Sequence, residues 1–419
     1  MSPEKLFHEL LNLGAAWRVV EIDFDPEGGV LIRVEETAAF WPEARSIHAE
    51  GGAVKCYDHI DDVCWRHLNV FEHRCDIVCR LPRAQCLKTG KVYRVTPPWE
   101  GLSKAFTKAF EALAILLMRE MPVAAAARLT RETDTRLWRL LRAQVERAWP
   151  LVDWSEVSIV GCDELSARKG HRYVSVFCDL VQKRVLFAVE GKDKSVWEKF
   201  VSALGEHNGH HRGITEISMD MSPAYIAGAA ENIGSQASVV FDKFHVIAHV
   251  SKAVDDTRRQ ESRQERSARP VLKGTQWLWR KNPENLSGEE AAEMKALKAG
   301  NLATARAYQM RLNLQDIYRM PDEPAARKRL RAWCRWVKLV AGKYPTLIFG
   351  KMLKAAGMIE SHLEGILAHW KSHTTNAFLE GLNSVFSAVK RKARGFRSVK
   401  NLITMLYFTA GRLPLPAAS

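Results

Sequence analysis

The sequence predicts an α/β fold with a large helical insertion, and three observations support this prediction. Three short apolar runs of strand-like composition follow one another closely between residues 157 and 189. An amphipathic segment comes next, and a fourth apolar run covers residues 214–220. From Val246 to about Lys371 the chain is basic, has helical periodicity and shows little strand character. A sheet with a helical crossover, followed by inserted helices, accounts for this order.

Periodicity places the elements of the sheet. Val157 to Asp163 alternates apolar side chains and is rich in Val and Ile, which predicts a short buried strand. His171–Asp179 and Arg184–Val189 follow across short polar connections, as in an antiparallel meander. Lys194–Leu204 has apolar residues at helical spacing, and Ile214–Asp220 is the fourth predicted strand. Three strands, a helix and a strand that returns beside the first are the order of a ribonuclease H-like fold.

Two of the predicted strands end in an aspartate, Asp163 and Asp220. A strand, helix, strand crossover is right-handed and parallel, so the ends of these two strands lie side by side at one edge of the sheet. Neighbouring carboxylates repel each other unless a cation lies between them, which suits a divalent metal ion. The competing interpretation is that each aspartate is a solvated turn residue, since the chain has 48 acidic residues.

Length and charge bound the function. The chain has 419 residues, enough for about two to four domains, and a formal net charge of +14. This basic excess favours a polyanionic partner such as nucleic acid, although a basic but ordinary enzyme would also show it. The longest apolar stretch, Ala112–Met118, is too short to span a bilayer, and the first residues lack the features of a signal peptide. We therefore expect a cytoplasmic protein without a disulfide framework.

The first hundred residues carry five cysteines, Cys56, Cys64, Cys75, Cys79 and Cys86. Their spacing suggests a small metal-stabilised module. A four-ligand zinc site normally shows two close pairs, however, and here only Cys75 and Cys79 form one. Because these two lie in an apolar, strand-like run, we interpret them as structural residues, and zinc binding stays an alternative.

A helix-turn-helix unit is predicted next. Leu102–Met118 has one apolar stripe, and two short helices flank a turn at Thr130–Asp134. The second of these helices carries Arg136, Arg139 and Arg142, which we predict to contact DNA. Two ordinary packed helices are the alternative, since the turn lacks the usual glycine. The net positive charge favours the DNA-binding interpretation.

A further acid and a histidine follow the strand-like run at 237–241. Asp242 and His245 are three residues apart, a spacing that allows them to orient one another or to support a metal ligand. A packed, hydrogen-bonded histidine explains the pattern equally well.

The helical segment contains four tryptophans among its basic residues, Trp277, Trp279, Trp333 and Trp336. Tryptophan interleaved with Arg and Lys can stack on bases and bind phosphate. Packing in the cores of helices is the commoner explanation for such residues.

Near the C-terminus a helix capped by Thr374 or Thr375 places Asn376, Glu380 and Asn383 on one face. A glutamate on a helix laid over two strand-end aspartates has the geometry of a third metal carboxylate. Basic residues follow it and are placed to hold the DNA backbone, with a solvated face as the alternative. They are Lys390, Arg391, Lys392, Arg394 and Arg397.

These patterns together resemble the ISL-three family of transposases of bacterial insertion sequences, over roughly residues 55–410. The resemblance lies in D-E-L-S-A-R-K-G-H-R-Y from Asp163, D-M-S-P-A-Y-I from Asp220, V-F-D-K-F-H from Val240, L-K-G-T-Q-W-L from Leu272 and N-A-F-L-E-G-L-N from Asn376. It implies an Asp, Asp, Glu triad formed by Asp163, Asp220 and Glu380.

The resemblance also implies an activity and its partners. The triad would hold two magnesium or manganese ions, cut the ends of a mobile element and join them to target DNA. The helix-turn-helix and the N-terminal module would bind the terminal inverted repeats, in an active complex that is at least a dimer and associates with the nucleoid. Asp242, His245, Asn376 and Asn383 would support the acids. A nuclease that cuts without joining, or a DNA-binding regulator without catalysis, are the alternatives.

One departure from the family concerns zinc. The two C-x-x-C pairs of the family's finger would fall on His48 and Gly51 and on Cys86 and Thr89, so that Cys86 alone survives.

The predicted organisation therefore has five parts. They are a degenerate zinc-finger-like module at 1–100, a helix-turn-helix region at 101–150, the first part of the catalytic core at 151–250, a helical insertion at 251–371, and the last core helix with a basic tail at 372–419.

Overall fold

The computed structural model of the chain describes residues 1–26, 28–47, 53–168, 172–344, 346–372, 377–392, 395–396 and 398–416. Contacts group the chain into two compact units. The first unit comprises residues 1–152 and 388–419, and the second comprises residues 153–387. Each is described by itself.

The strands are β1 Trp17–Phe24, β2 Val30–Glu36, β3 Val54–Val70, β4 His73–Cys86, β5 Val92–Arg94, β6 Ile159–Arg168, β7 Arg172–Asp179, β8 Arg184–Glu190, β9 Glu216–Met219 and β10 Ser238–Phe241. The helices are α1 Pro3–Leu10, α2 Phe40–Ile47, α3 Lys108–Glu120, α4 Val123–Thr130, α5 Asp134–Ala148, α6 Ser195–Glu206, α7 Pro223–Asn232, α8 Lys243–Gln264, α9 Ala268–Leu272, α10 Gly288–Ala299, α11 Ala303–Ile317, α12 Glu323–Ala341, α13 Thr346–Ser361, α14 Leu363–Leu367, α15 Ala377–Lys392 and α16 Val399–Ala410. In the part of the chain that the structure describes, no helix is long and apolar enough to cross a membrane.

The first unit begins with a sheet of order β1-β2-β4-β3, to which β5 adds beside β4. Cys75 and Cys79 point to one face of β4 because side chains four apart on a strand share a face, and both are fully buried. Trp17, Trp65 and Trp99 pack edge to face beside them, with ring centroids 5.0 and 5.8 Å apart along the row. The first unit therefore contains a sheet with its own apolar core, and the burial of Cys75 and Cys79 agrees with their interpretation as structural residues.

Helix α3 begins at Lys108, six residues later than the predicted start. The hydroxyl of Thr107 caps it by accepting a hydrogen bond of 3.2 Å from the backbone amide of Phe110. The residue before the cap forms an isolated β-bridge with Arg66 of β3. This long-range pairing keeps the preceding segment extended, which the apolar stripe alone could not reveal.

Helices α3, α4 and α5 follow one another through short turns. Between α4 and α5, Arg131 adopts a left-handed conformation with φ +53°, the role that glycine usually has in such a turn. The Thr133 hydroxyl then caps α5 by accepting from the amide of Arg136 at 3.3 Å. A sharp turn thus forms although no glycine is present.

The second unit contains a sheet of order β10-β9-β6-β7-β8. Strands β6, β7 and β8 form an antiparallel meander, whereas β9 lies parallel to β6 and β10 parallel to β9. Helix α6 makes the crossover from β8 to β9. The predicted meander, the crossover helix and the parallel return beside the first strand are confirmed.

Strand β6 extends to Arg168, whereas the sequence predicts its end at Asp163. The parallel pairing with β9 stops at Cys162 and Met219, but the antiparallel pairing with β7 continues beyond it. Asp163 therefore lies within β6, at the point where its neighbour β9 ends.

The helical part of the second unit begins with α8, and the described residues between β10 and Ser372 contain no strand. Helices α11 and α13 pack on α8. The predicted boundary between residues 250 and 251 falls inside α8, which continues without a break from the edge of the sheet. Trp279 and Trp333 are buried in this helical core, Trp336 is half-buried, and Trp277 is exposed.

Candidate active site

The candidate site lies where β6 and β9 stop pairing. Cys162 and Met219 are the last partners of the parallel ladder. Asp163 and Asp220 are the next residue of each chain segment, so both leave the ladder at the same edge of the sheet. Each is oriented by its backbone, because one carboxylate oxygen accepts the amide of the following residue, at 2.7 Å for Asp163 and 2.6 Å for Asp220.

His245 of α8 lies between these two aspartates. Its Nε2 is 3.6 Å from Oδ1 of Asp163, and its Nδ1 is 3.7 Å from Oδ1 of Asp220. These distances are longer than those of hydrogen bonds. Two carboxylates from different strands therefore converge on opposite edges of a single imidazole ring.

Asp242 lies three residues before His245, at the start of α8. It is the N-cap of α8, and its Oδ1 accepts a hydrogen bond of 2.8 Å from the amide of Phe244. Its other oxygen is 4.0 Å from Nε2 of His245. Asp242 is therefore a third carboxylate beside that ring, in addition to being the cap of the helix.

Glu164 was not among the site residues predicted from the sequence. Burial raises the pKa of this carboxyl, and the negative charges of Asp220 and Asp163 raise it further. Lys192 lies 4.0 Å away and opposes that effect. Alternation along a strand assigns residues 163 and 164 to opposite faces of the sheet. The sequence pattern therefore gave no signal that the charges of both aspartates affect the pKa of Glu164.

Tyr225 explains part of the motif that follows Asp220. This residue of α7 is fully buried, and its hydroxyl is 2.6 Å from the hydroxyl of Ser175 on β7. Ser175 in turn donates to the carbonyl of Gly191 at 2.8 Å. Burial raises the pKa of Tyr225. The tyrosine therefore fastens α7 to the sheet beneath the site.

Asp163 and Asp220 supply the type of donor atom that a divalent cation takes. Carboxylate oxygens are the ligands that magnesium and manganese prefer, and Oδ2 of Asp220 accepts no hydrogen bond from any described residue. Among the described residues, no group of three or more His, Cys, Asp or Glu side chains is arranged to hold a metal ion. Glu380 and Asn383 lie in α15 with side chains outside the described part, and Asn376 lies outside it entirely.

The predicted DNA-contacting arginines of α5 differ in their surroundings. Arg139 is exposed and Arg142 is half-buried. Arg136, in contrast, donates to Glu132 at 2.7 Å, and its guanidinium carbon lies 4.6 Å from the ring centroid of Phe106. Its charge is committed to contacts inside the unit.

The predicted basic run after α15 is described only in part. Arg391 is exposed, whereas Lys390 is half-buried and burial lowers the pKa of its amine. The side chain of Lys392 lies outside the described residues, as do Arg394 and Arg397.

Three cysteines of the N-terminal sheet are buried, Cys75, Cys79 and Cys86, whereas Cys56 and Cys64 are exposed. Burial raises the pKa values of the Cys75 and Cys79 thiols to about 12. Cys86, the surviving zinc candidate, is buried at the last position of β4. His48 and Gly51, the positions of the other pair, lie outside the described residues.

Comparison with known proteins gives the family. Residues 160–406 match a family model described as a transposase, and residues 105–145 match the helix-turn-helix domain of transposase family ISL3. The transposase for insertion sequence element IS1001 of Bordetella parapertussis is 27% identical over 340 residues, which cover 79% of this chain and 80% of that protein. The transposase for insertion sequence element IS1557 of Mycobacterium tuberculosis is 24% identical over 455 residues, covering 99% and 97%. Since the first match spans more than half of the chain, the chain belongs to the ISL3 (ISL-three) family of transposases.

Proposed function

We propose that this chain cuts the ends of an insertion sequence and joins them to target DNA at an acidic site formed by Asp163, Asp220 and Glu380 on a ribonuclease H-like sheet. The observation that carries the proposal is the convergence of Asp163 and Asp220 on His245. Two carboxylates that directly follow the last paired residues of β6 and β9, with a ring between them, form a compact acidic site.

The chemistry of the site follows from its donor atoms. Two divalent ions held by the three acids would activate water or a 3'-hydroxyl and stabilise the leaving oxygen of the phosphodiester. The backbone amides after Asp163 and Asp220 hold one oxygen of each carboxylate in place. No covalent protein nucleophile is required.

His245 and Asp242 are proposed to be positioning residues. The imidazole keeps the two aspartates apart and oriented, and the capping carboxylate holds the imidazole in the first turn of α8. The N-terminal end of α8 lies beside these acids. Asn376 and Asn383 are proposed to support Glu380 from the same helix.

DNA recognition is proposed for the other unit. The helix-turn-helix at residues 105–145 implies contact with DNA. We assign this contact to the exposed Arg139 and to Arg142, with the basic residues from Lys390 to Arg397 on the DNA backbone. Pairing of two element ends requires at least a dimer. The organisation of the chain into five parts, from residues 1–100 to residues 372–419, belongs to the same proposal.

Cleavage and strand transfer on a labelled duplex carrying the element's terminal repeats test the proposal. The wild type is compared with Asp220→Asn in magnesium, in manganese and without metal. We expect metal-dependent 3'-end release and joined products, reduced on the order of 10³-fold in the variant because one ion loses its ligand.

Glu190→Gln is the matched control, since Glu190 is an exposed acid at the end of β8 in the same sheet. It should cleave like the wild type. End binding by the wild type with no cleavage in any metal would identify a regulator, and cleavage without joined products would identify a nuclease.

A further inference from the structure

Trp277 has an unusual environment for a tryptophan in the helical part of the second unit. Its side chain is 61% exposed, whereas Trp279, two residues later, is 2% exposed. Both belong to the 3-10 turn Thr275–Arg280. An exposed indole offers a large, flat aromatic face to a ligand.

The turn that carries Trp277 is held rigidly from below. Trp279 donates its indole N–H to the hydroxyl of Thr275 at 3.0 Å, and that hydroxyl donates to the carbonyl of Leu272 at 2.9 Å. Trp279 also packs edge to face on Tyr308, with ring centroids 5.5 Å apart. The exposed ring is therefore presented on a fixed scaffold rather than on a loose loop.

The surroundings of Trp277 are cationic. The guanidinium carbon of Arg280 lies 4.9 Å from the centroid of the Trp277 ring. Residues 258–281 contain eight Arg or Lys and two Glu. One of these glutamates, Glu261, is buried and accepts the amides of Ala303 and Thr304, so it does not offset the surface charge.

Four of these basic side chains are available to a ligand. They are exposed and form no ion pair with any residue in the described ranges of the chain. They are Arg263, Arg266, Arg269 and Lys273. A polyanion is the ligand class that such a set attracts.

Helix α8 connects this surface to the candidate active site. His245 lies in its first turn, and Asp255, further along, is 3.7 Å from Arg280. Ten residues of helix separate the two positions, which corresponds to about 15 Å along the axis. That length equals about four base steps of a DNA strand at about 3.4 Å each.

We infer that Trp277 and Arg280 form a stacking platform for an unpaired DNA base, a few nucleotides from the phosphate at the acidic site. An aromatic ring beside a guanidinium is how proteins hold unstacked bases without reading their identity. The inference rests on the proposed function for placing DNA at Asp163 and Asp220. A strand end that is opened for cleavage supplies the unpaired base.

The test measures binding without divalent metal, by fluorescence anisotropy, to two DNAs. One is a blunt duplex, and the other is the same duplex with a four-nucleotide single-stranded end containing 2-aminopurine. We expect Trp277→Ala to weaken binding of the overhang duplex about tenfold and to abolish the stacking quench of 2-aminopurine. Blunt duplex should bind as before, and Trp277→Phe should keep most of the affinity and the quench.

Leu339→Ala is the matched control, because Leu339 is a 71% exposed apolar residue of the same unit. It should change neither affinity, and all variants should unfold at the wild-type temperature. Unchanged binding of the overhang by Trp277→Ala, or an equal loss on both DNAs, would overturn the inference. The two proposals fail in different assays, because this one is read without cleavage and the first is read with Trp277 intact.

Discussion

His67 on β3 makes folding sensitive to pH. Its Nδ1 is 2.9 Å from the hydroxyl of Thr107. Burial, and then the charge of Arg66, lowers the pKa of His67 to about 4. The pKa of a histidine in an unfolded chain is about 6.5. Between pH 4 and about pH 6.5 the folded chain therefore binds fewer protons than the unfolded chain. Stability is therefore fully present above about pH 6.5 and is lost as the pH falls towards 4.

This residue should lower the free energy of unfolding by about 2–3 kcal/mol across that window. Urea unfolding of the wild type and of His67→Gln, at several values between about pH 7 and pH 4.5, measures the contribution. The variant lacks the titrating ring, so the difference between the two proteins should shrink with decreasing pH. Parallel curves would contradict the assignment.

Arg136 and Arg139, three residues apart on α5, should have different roles. Arg136→Ala removes the 2.7 Å partner of Glu132, whose side chain is 2% exposed. Leaving that carboxylate short of a partner should cost about 2 kcal/mol of stability. Arg139→Ala removes an exposed side chain, so the free energy of unfolding should stay within about 0.5 kcal/mol of the wild-type value.

For DNA affinity we expect the larger effect from Arg139→Ala, whereas for stability we expect it from Arg136→Ala. Arg139→Ala should lower the affinity for DNA of any sequence. It should also reduce the slope of log affinity against log salt concentration by about 1, because one phosphate contact is lost. Anisotropy titrations at several salt concentrations and thermal unfolding of both variants provide the two measurements. If Arg139→Ala unfolds early and binds DNA normally, the assignments are reversed.

Single residues also mark the limit of what the sequence could predict here. Asp163, Asp220, Asp242 and His245 were all predicted as site residues, and the structure brings them together where β6 and β9 stop pairing and where α8 begins after β10. Glu164 was missed, since the effect of Asp220 on its pKa acts across the sheet from the segment after β9 and leaves no sign in the pattern of β6.

Helix α14 depends on a glycine for its packing against the edge strand β10. A Cβ built on Gly365 would lie 2.4 Å from Cε2 of Phe241. Gly365→Ala therefore forces the helix and the ring apart and should destabilise the second unit by about 1–3 kcal/mol. Chemical unfolding followed by far-UV circular dichroism measures the loss.

Gly357→Ala is the matched control on the preceding helix, α13, where a Cβ would meet nothing within 4 Å. There alanine should stabilise by up to about 1 kcal/mol through helix propensity. Equal effects of the two substitutions would show that propensity, rather than the contact with Phe241, decides both.

The order of the strands was predictable and several element boundaries were not. Alternating apolar residues placed β6, β7, β8 and β9 correctly, because a half-buried sheet imposes that period on the sequence. The end of β6 and the start of α3 depend on pairing with distant segments, β7 and Arg66. Cys75 and Cys79 are spaced like ligands, yet the same spacing places them on the inner face of a strand.

The folding of the chain into units was the least accessible to sequence. Residues 388–419 group with the first unit rather than with the sheet that precedes them. Helix α16 packs on α5, with Lys400 3.2 Å from Glu146 and the rings of Tyr407 and Trp149 5.6 Å apart. These contacts join segments about 250 residues apart, and local sequence patterns do not predict packing over such a separation.

Because the last residues of the chain belong to the first unit, this unit cannot finish folding until synthesis is complete. Helix α5 leaves the ribosome long before α16, and at about 5–20 residues per second the wait is on the order of 10–50 s. During that time the face of α5 that carries Trp138 has no Phe396 to pack against. The unit with the helix-turn-helix is completed only after the whole second unit has been made. A nascent chain therefore completes last the unit that carries the helix-turn-helix.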